Sequence, residues 1–407
     1  MPQAPLFTLD FADINPIAMQ HSLGGMSARR FLRDCWQKQP LLIRQALPGF
    51  EGVIAPAALF RLASRDEVES RLIKQTRNGW QLAQGPFTAR DFSTAPKRNW
   101  TLLVQDLNHF LPEAAALLQR FAFIPHARLD DVMVSYAVEG GGVGPHFDSY
   151  DVFLLQGMGQ RRWQISAQED HELLGHAPLK ILSQFHAEQE WLLDPGDMLY
   201  LPPGYAHHGV AKSECMTYSI GFRAPTAQDL GTAFLAHLQD TLSLDGVYKD
   251  PDLRVTEHPG NIPADMVDKV VTMLDQIRWD NAGAADFLGA YLSEPKPQVF
   301  FSPPAAPLSR ERFAAQVAIS GLELALKSRF LYRRNRFYLN GELFLAPKLA
   351  ISTLRDLADR RCVPRLGTLD KNTLDENTLA RLYDWYRAGY VELISGKSKQ
   401  QQVMRGD

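Results

Sequence analysis

Residues 140–153 read GGGVGPHFDSYDVF, and residues 194–210 read DPGDMLYLPPGYAHHGV. Together these two stretches decide the fold class. In the first, His146 and Asp148 form an H-x-D pair. On an extended strand, residues i and i+2 project from the same face, so the imidazole and the carboxylate converge. In the second, a Pro-Gly-Asp turn opens an apolar run and a Pro-Pro-Gly turn sends the chain back. His207 and His208 follow that turn. Adjacent strand residues point to opposite faces, so only one can join the pair; we take His207, with His208 facing elsewhere. Two histidines and a carboxylate form a facial triad that leaves positions open on Fe(II). Zn²⁺ accepts the same donors, so ligand type alone leaves a zinc site open.

The sequence around this pair is rich in short β-runs. DDVMVSYAV (130–138), DVFLLQGM (151–158), RRWQIS (161–166), EWLLDPGDMLYLPPG (190–204) and MTYSIGFRAP (216–225) are separated by Gly, Pro and Asp turns. Such spacing predicts a β-sandwich or barrel. Upstream, residues 1–20 read as a loose arm. Segment 27–47 reads as a helix capped by Ser27 and stopped before Pro40, then a short strand. Residues 56–74 read as partly helical, 78–87 as a hairpin, 100–110 as a strand and 112–121 as a helix.

Downstream the apolar spacing changes to three and four, which predicts helices over 227–242 and 263–280. The proline-rich stretch 293–309 reads as a linker. Beyond it come two helical segments, 312–321 and 353–361. A hairpin over 334–346, turning at Asn340-Gly341, and a closing helix and strand over 380–394 complete the chain. That order suggests a small winged-helix-like module.

Composition bounds the function. A chain of 407 residues exceeds one ordinary core, so two or three domains are expected. Hydrophobic residues at 45% and charged residues at 22% exclude a disordered or fibrous chain. A net charge of −3 gives no global basic field to draw it onto nucleic acid. The basic, aromatic stretch KSRFLYRRNRFY (327–338) is the one local exception, and a solvated hairpin edge explains it better. Cys35, Cys215 and Cys362 are odd in number and far apart, which predicts free thiols and a cytoplasmic setting. The N-terminus shows no signal-peptide pattern, and no apolar run reaches about 18 residues, so no membrane association is expected.

The run GGGVGPHFDSYDVFLLQGMGQRRW, followed by DPGDMLYLPPGYAHHG and YSIGFRAP, closely resembles the bacterial JmjC-type ribosomal oxygenases. The resemblance is strong over 27–225 and weaker beyond. It implies a mixed α and β chain in three parts. Residues 1–225 would form a JmjC (cupin-type) double-stranded β-helix with N-terminal helical elements. Residues 226–300 would form a helical dimerisation segment, and 301–407 a winged-helix-like domain. The implied iron ligands are His146, Asp148 and His207, with 2-oxoglutarate and O₂ as co-substrates. Arg161, two positions after Gly159, matches the family's anchor for the far carboxylate of 2-oxoglutarate, and Arg162 would point away. A guanidinium fork suits that role. Thr217 and Ser219 would add hydroxyls near the co-substrate. Asp131 and Tyr150 match positions that bind a substrate guanidinium, with Asp130 as a rival to Asp131. The glycines at 140, 141, 142 and 144 would let backbone approach the substrate.

The implied reaction hydroxylates an arginine side chain of large-subunit (50S) ribosomal protein sixteen, giving succinate and CO₂. The implied protein is a cytoplasmic homodimer without a nucleic-acid partner. Two alternatives stand beside it. One is hydroxylation of a histidine or lysine on another protein; the other is a non-catalytic metal-binding barrel.

Overall fold

The computed structural model describes residues 23–175, 177–364 and 375–394. The arm expected over 1–20 lies outside them. Helix α1 (Ala28–Asp34) starts at Ser27, whose hydroxyl accepts from the Arg30 N–H, and strand β1 (Leu41–Ile43) follows the Pro40 break. Helix α2 (Pro56–Leu62) opens with proline at its first position, where no intrahelical N–H is needed. The hairpin expected over 78–87 is larger than its sequence signal. Its first strand is β2 (Ser70–Thr76), inside the segment read as partly helical, and only β3 (Gly79–Gln84) falls where expected. The strand signal in SRLIKQT was masked by its long polar side chains.

Helix α3 (Ala89–Ser93), strand β4 (Trp100–Val104) and helix α4 (Pro112–Gln119) lead into the barrel strands. These are β5 (Leu129–Ala137), β6 (His146–Phe147), β7 (Val152–Gln156) and β8 (Arg161–Ser166). Then come β9 (Gln189–Leu193), β10 (Met198–Leu201), β11 (Ala206–Ala211) and β12 (Cys215–Phe222).

Two antiparallel sheets face each other. The larger runs β1-β10-β7-β12-β5-β4-β2-β3 and the smaller β6-β11-β8-β9. This is the double-stranded β-helix. Its interior is lined by Val152, Leu154, Leu199 and Leu201 from one sheet and Trp163, Ile165 and Leu193 from the other. The outer face of the large sheet carries the main core. There Phe31, Phe50, Leu59, Phe153, Tyr200 and Tyr218 pack under the N-terminal helices. Burying each such side chain contributes roughly 1.5–3 kcal/mol, so the large sheet is a rigid wall for whatever its inner face holds.

Helices α5 (Ala227–Thr241) and α6 (Ala264–Leu274) follow the barrel. Helix α7 (Asn281–Ser293) has no clear stripe in its sequence and was not expected. It packs on a three-stranded sheet, and a Cβ at Gly289 would lie 2.5 Å from the Tyr338 ring. The last module comprises α8 (Arg310–Ser320), β13 (Leu322–Leu324), β14 (Phe330–Arg333), β15 (Arg336–Leu339) and β16 (Glu342–Leu345). It ends with α9 (Ile351–Arg360), β17 (Cys362–Val363), α10 (Glu376–Arg387) and β18 (Val391–Leu393). Its own core joins Phe313, Val317, Phe337, Leu354, Leu357 and Trp385. Asn340 (φ 50°) and Gly341 (φ 90°) both take left-handed backbone, as a two-residue hairpin turn requires. The basic stretch 327–338 is largely used inside the molecule: Arg329 pairs with Asp130, and Arg336 with Asp286.

Candidate metal centre

Strands β6 and β11 pair in register, with His146 opposite His207. Asp148 follows β6, and its carbonyl accepts from Gly204 N–H in the turn before β11 at 2.8 Å. One donor atom from each of His146, Asp148 and His207 lies within 4.8 Å of the others. The rings of His146 and His207 are 4.2 Å apart, and His207 Nε2 lies 3.7 Å from Asp148 Oδ2. His208 is outside the cluster, edge-on to Phe185.

The tautomers suit a metal. His146 Nδ1 lies 3.0 Å from Gly144 O, and His207 Nδ1 2.9 Å from Tyr205 O. A carbonyl only accepts, so each Nδ1 carries the proton and each Nε2 keeps its lone pair. Burial, then His146, push His207 down to about 4, and the residue is only 2% exposed, so its ring is neutral. Two imidazoles and one carboxylate, without a thiolate, are a donor set for Fe(II) with positions left open.

Two of the four glycines, Gly141 and Gly142, lie against neighbouring strands. A Cβ at Gly141 would lie 2.2 Å from Trp100 O, and at Gly142 2.5 Å from Gly209 O. Their close approaches are to this chain's own backbone. They let the loop before His146 lie flat against β4 and β11.

Inward side chains on β8 are Arg161, Trp163 and Ile165, which face Ala211, Gly209 and His207 on β11. Gly209 makes room for the indole, since a Cβ there would lie 2.6 Å from it. Arg161 is 3% exposed. Its guanidinium touches Cys215 Sγ at 3.7 Å and sits 5.8 Å from the Trp163 ring centre. Arg161 Nε and Trp163 Nε1 are buried donors without a hydrogen-bond partner among the described residues. Arg162 Nε is also unpartnered, but that side chain turns to Glu190 at 3.9 Å. An unpaired guanidinium inside a barrel fits an anionic ligand.

Strand β12 connects this end to the other. Its inward residues are Cys215 beside Arg161, then Thr217 and Ser219, then Gly221 beside Asp131. Thr217 donates to Gln156 Oε1 at 3.0 Å, so its hydroxyl fixes a neighbouring side chain. Register between β5 and β12 shifts at this point: Val132 faces Ile220, and Leu129 faces Phe222. Asp130 and Asp131 therefore oppose the single residue Gly221. Such a bulge re-aims side chains.

The two carboxylates go separate ways. Asp130 meets Arg223, Arg329 and Lys296 at 3.3, 3.0 and 3.7 Å. Asp131, 5% exposed, accepts from Gln105 Nε2 and from Asp106 N–H. Burial, then the charges of Asp130 and Asp106, push Asp131 up to about 7. Tyr150 stands at the mouth, 38% exposed. Burial and the charges of Asp148 and Asp131 push its phenol upward.

Known proteins share this fold. Residues 116–230 match the JmjC domain, and 276–392 match the ROXA-like winged helix. The chain is 37% identical over 280 residues to the ribosomal protein uL16 3-hydroxylase of Escherichia coli K12, covering 68% of this chain and 74% of that one. This chain belongs to the JmjC-type ribosomal oxygenases. An X-ray structure of E. coli ycfD matches this ribosomal oxygenase with a TM-score of 0.80 at 33% identity, over 90% of this chain and 98% of that one. A structure of the E. coli ribosomal oxygenase YcfD with cobalt and 2-oxoglutarate matches with a TM-score of 0.77 at 32% identity, over 91% and 99%.

Several residues around the centre of this ribosomal oxygenase were not singled out in the sequence. Trp163 was reachable, because it lies two positions after Arg161 on one strand. Gln105, Asp106 and Lys296 carry no local signal, since Lys296 meets Asp106 across 190 residues of chain.

Proposed function

We propose that this ribosomal oxygenase uses Fe(II) and 2-oxoglutarate to hydroxylate an arginine side chain of ribosomal protein uL16. The observation that carries the proposal is a buried guanidinium and a buried carboxylate at opposite ends of one strand beside a His-Asp-His cluster. His146, Asp148 and His207 would hold the iron. Arg161 would pair with the far carboxylate of 2-oxoglutarate, with Trp163 Nε1 as a second donor and Thr217 and Ser219 along the wall. Asp131 would take the substrate guanidinium, with Tyr150 closing the mouth beside it. Fe(II), 2-oxoglutarate and O₂ together supply the oxidising chemistry, with succinate and CO₂ as co-products. The chain's own part is to exclude water, fix the ligand tautomers and hold the target side chain by its charge.

The named relative supports uL16 as the class of substrate. Asp131 supports a cationic side chain, arginine before histidine. The test incubates the protein with Fe(II), 2-oxoglutarate, air and a uL16 peptide, then measures succinate and peptide mass. One added oxygen atom on an arginine is expected. An oxygen on lysine or histidine would reassign the target, and metal binding without succinate would indicate a non-catalytic barrel.

We also propose a division at 1–225, 226–300 and 301–407, and a cytoplasmic homodimer formed through the middle part. Val267, Val270, Val271 and Leu274 recur at helical spacing on α6 and are exposed. Such an apolar stripe suits a second copy of the chain. Light scattering should give twice the mass of one chain; a monomer would remove this assignment. No helix among the described residues is long and apolar enough to cross a membrane.

A further inference from the structure

Asp131 does not stand alone in the barrel. Three carboxylates, Asp106, Asp130 and Asp131, crowd one end of β5, and two of their counter-charges come from far along the chain. Lys296, in the connector after α7, reaches Asp106 Oδ1 at 2.8 Å and Asp130 Oδ1 at 3.7 Å. Arg329, just before β14, donates to Asp130 Oδ1 and Asp130 O at 3.0 Å each, and to Leu129 O at 3.3 Å. Both side chains are mostly buried. Lys296 donates to Asp106 Oδ1, and the N–H of the same Asp106 donates to Asp131 Oδ2.

We propose that Lys296 and Arg329 are positioning residues for Asp131, through which the segments that follow the barrel set the affinity for a cationic substrate side chain. The proposal rests on the assignment of Asp131 to the substrate. The groups that face Asp131 are Asp130 on its own strand, Asp106 and Gln105 from the turn after β4, and Tyr150 from the β6–β7 loop. Lys296, Arg329 and Arg223 approach through Asp130 and Asp106, and His109 lies 4.0 Å from Asp106.

Pairing Asp130 and Asp106 with cations limits the negative charge that pushes Asp131 upward, so its ionised form stays within reach near neutral pH. The same pairing also ties the β5 bulge to the connector and to β14, which fixes where the Asp131 carboxylate points. Without Lys296, Asp130 keeps Arg223 and Arg329, but Asp106 is left without a cation beside Asp131, and its charge favours a proton on Asp131. A protonated Asp131 cannot pair with a guanidinium. Each unit of upward shift costs about tenfold in the ionised fraction at a pH below the pKa.

The experiment measures peptide KM, 2-oxoglutarate KM and kcat for the full-length protein across pH 6 to about 9. Lys296→Met is expected to raise peptide KM about five- to tenfold at neutral pH. The rise of kcat/KM with pH should move to higher pH, while 2-oxoglutarate KM stays put. Lys296→Arg should restore both. Lys296→Met with Asp106→Asn, which removes the stranded charge, should recover most of the loss. Arg329→Lys should act in the same direction as Lys296→Met. Should the methionine variant fold poorly, the Arg and double variants still decide the matter. An unmoved peptide KM and pH profile in folded Lys296→Met, or no recovery in the double variant, overturns the proposal. Asp131→Asn is the control for the underlying assignment. If it leaves peptide KM unchanged, the substrate assignment itself fails; if it raises KM while Lys296→Met does not, only the present inference fails.

Discussion

A guanidinium buried to the extent of Arg161, set against a thiol and an indole with its Nε unpartnered among the described residues, is costly unless an anion meets it. Arg161→Ala should therefore raise the 2-oxoglutarate KM by about tenfold or more, as expected for loss of a charge-assisted bidentate pair, and change peptide KM much less. Succinate release at varied 2-oxoglutarate checks it, and an unchanged response would move the anchor elsewhere. Gly209 makes a second case. Gly209→Ala puts a methyl into the Trp163 ring, which lies 5.8 Å from the His207 ring. Overpacking of this kind costs about 1–3 kcal/mol, so a lower melting temperature and weaker metal binding are expected together in calorimetry. Residues of these two kinds were not equally legible. The strand period alone makes His146 and Asp148 converge, and it turns Arg161 and Arg162 to opposite faces. Arg161 as an anchor came from family resemblance, and Gly209 as a packing requirement is visible only in three dimensions, because the indole it meets comes from another strand.

Among the elements, the legible ones carry their own local chemistry. The Asn340-Gly341 turn, the Ser27 cap and the short β-runs of the barrel each rest on residues adjacent in sequence. The elements that were missed depend on distant partners. Strand β2 has only a weak alternating pattern and is fixed by pairing with β3 and β4 on its two sides. The β5 bulge, which aims Asp131 inward, arises from its register with β12 and has no signature of its own. Helix α7 is small-residue rich because it lies close on β15, with Gly289 against the Tyr338 ring and Asp286 paired to Arg336 and Tyr338. Gly289→Val should force that helix off the sheet. A loss of about 1–3 kcal/mol is expected, since relief through backbone movement is only partial. Thermal unfolding would report it, and an unchanged midpoint would mean that α7 docks elsewhere in solution.

For the whole molecule, the buried charges around Asp131 also join the barrel to the C-terminal module, and they give opposite pH dependences. His109 is pushed from 6.5 down to about 4 by burial first, against the pull of Asp106. The folded chain therefore refuses a proton that the unfolded chain binds between these values. Its contribution to stability is full above 6.5 and is lost as pH falls towards 4. Asp131 is pushed from 3.8 up to about 7, so the folded chain keeps a proton that the unfolded chain releases. Its contribution is most favourable near pH 4 and is lost as pH rises towards 7. Over the shared window the two slopes oppose one another, each on the order of 1 kcal/mol per pH unit. Removing one should unmask the other. Asp131→Asn should gain on the wild type steadily as pH rises from 4 to about 6.5, and His109→Gln should gain on it as pH falls. Urea midpoints measured across that range test both signs. Parallel curves for all three proteins would show that neither group holds its unusual protonation state, and would place the interface charges in a wetter setting than their burial implies.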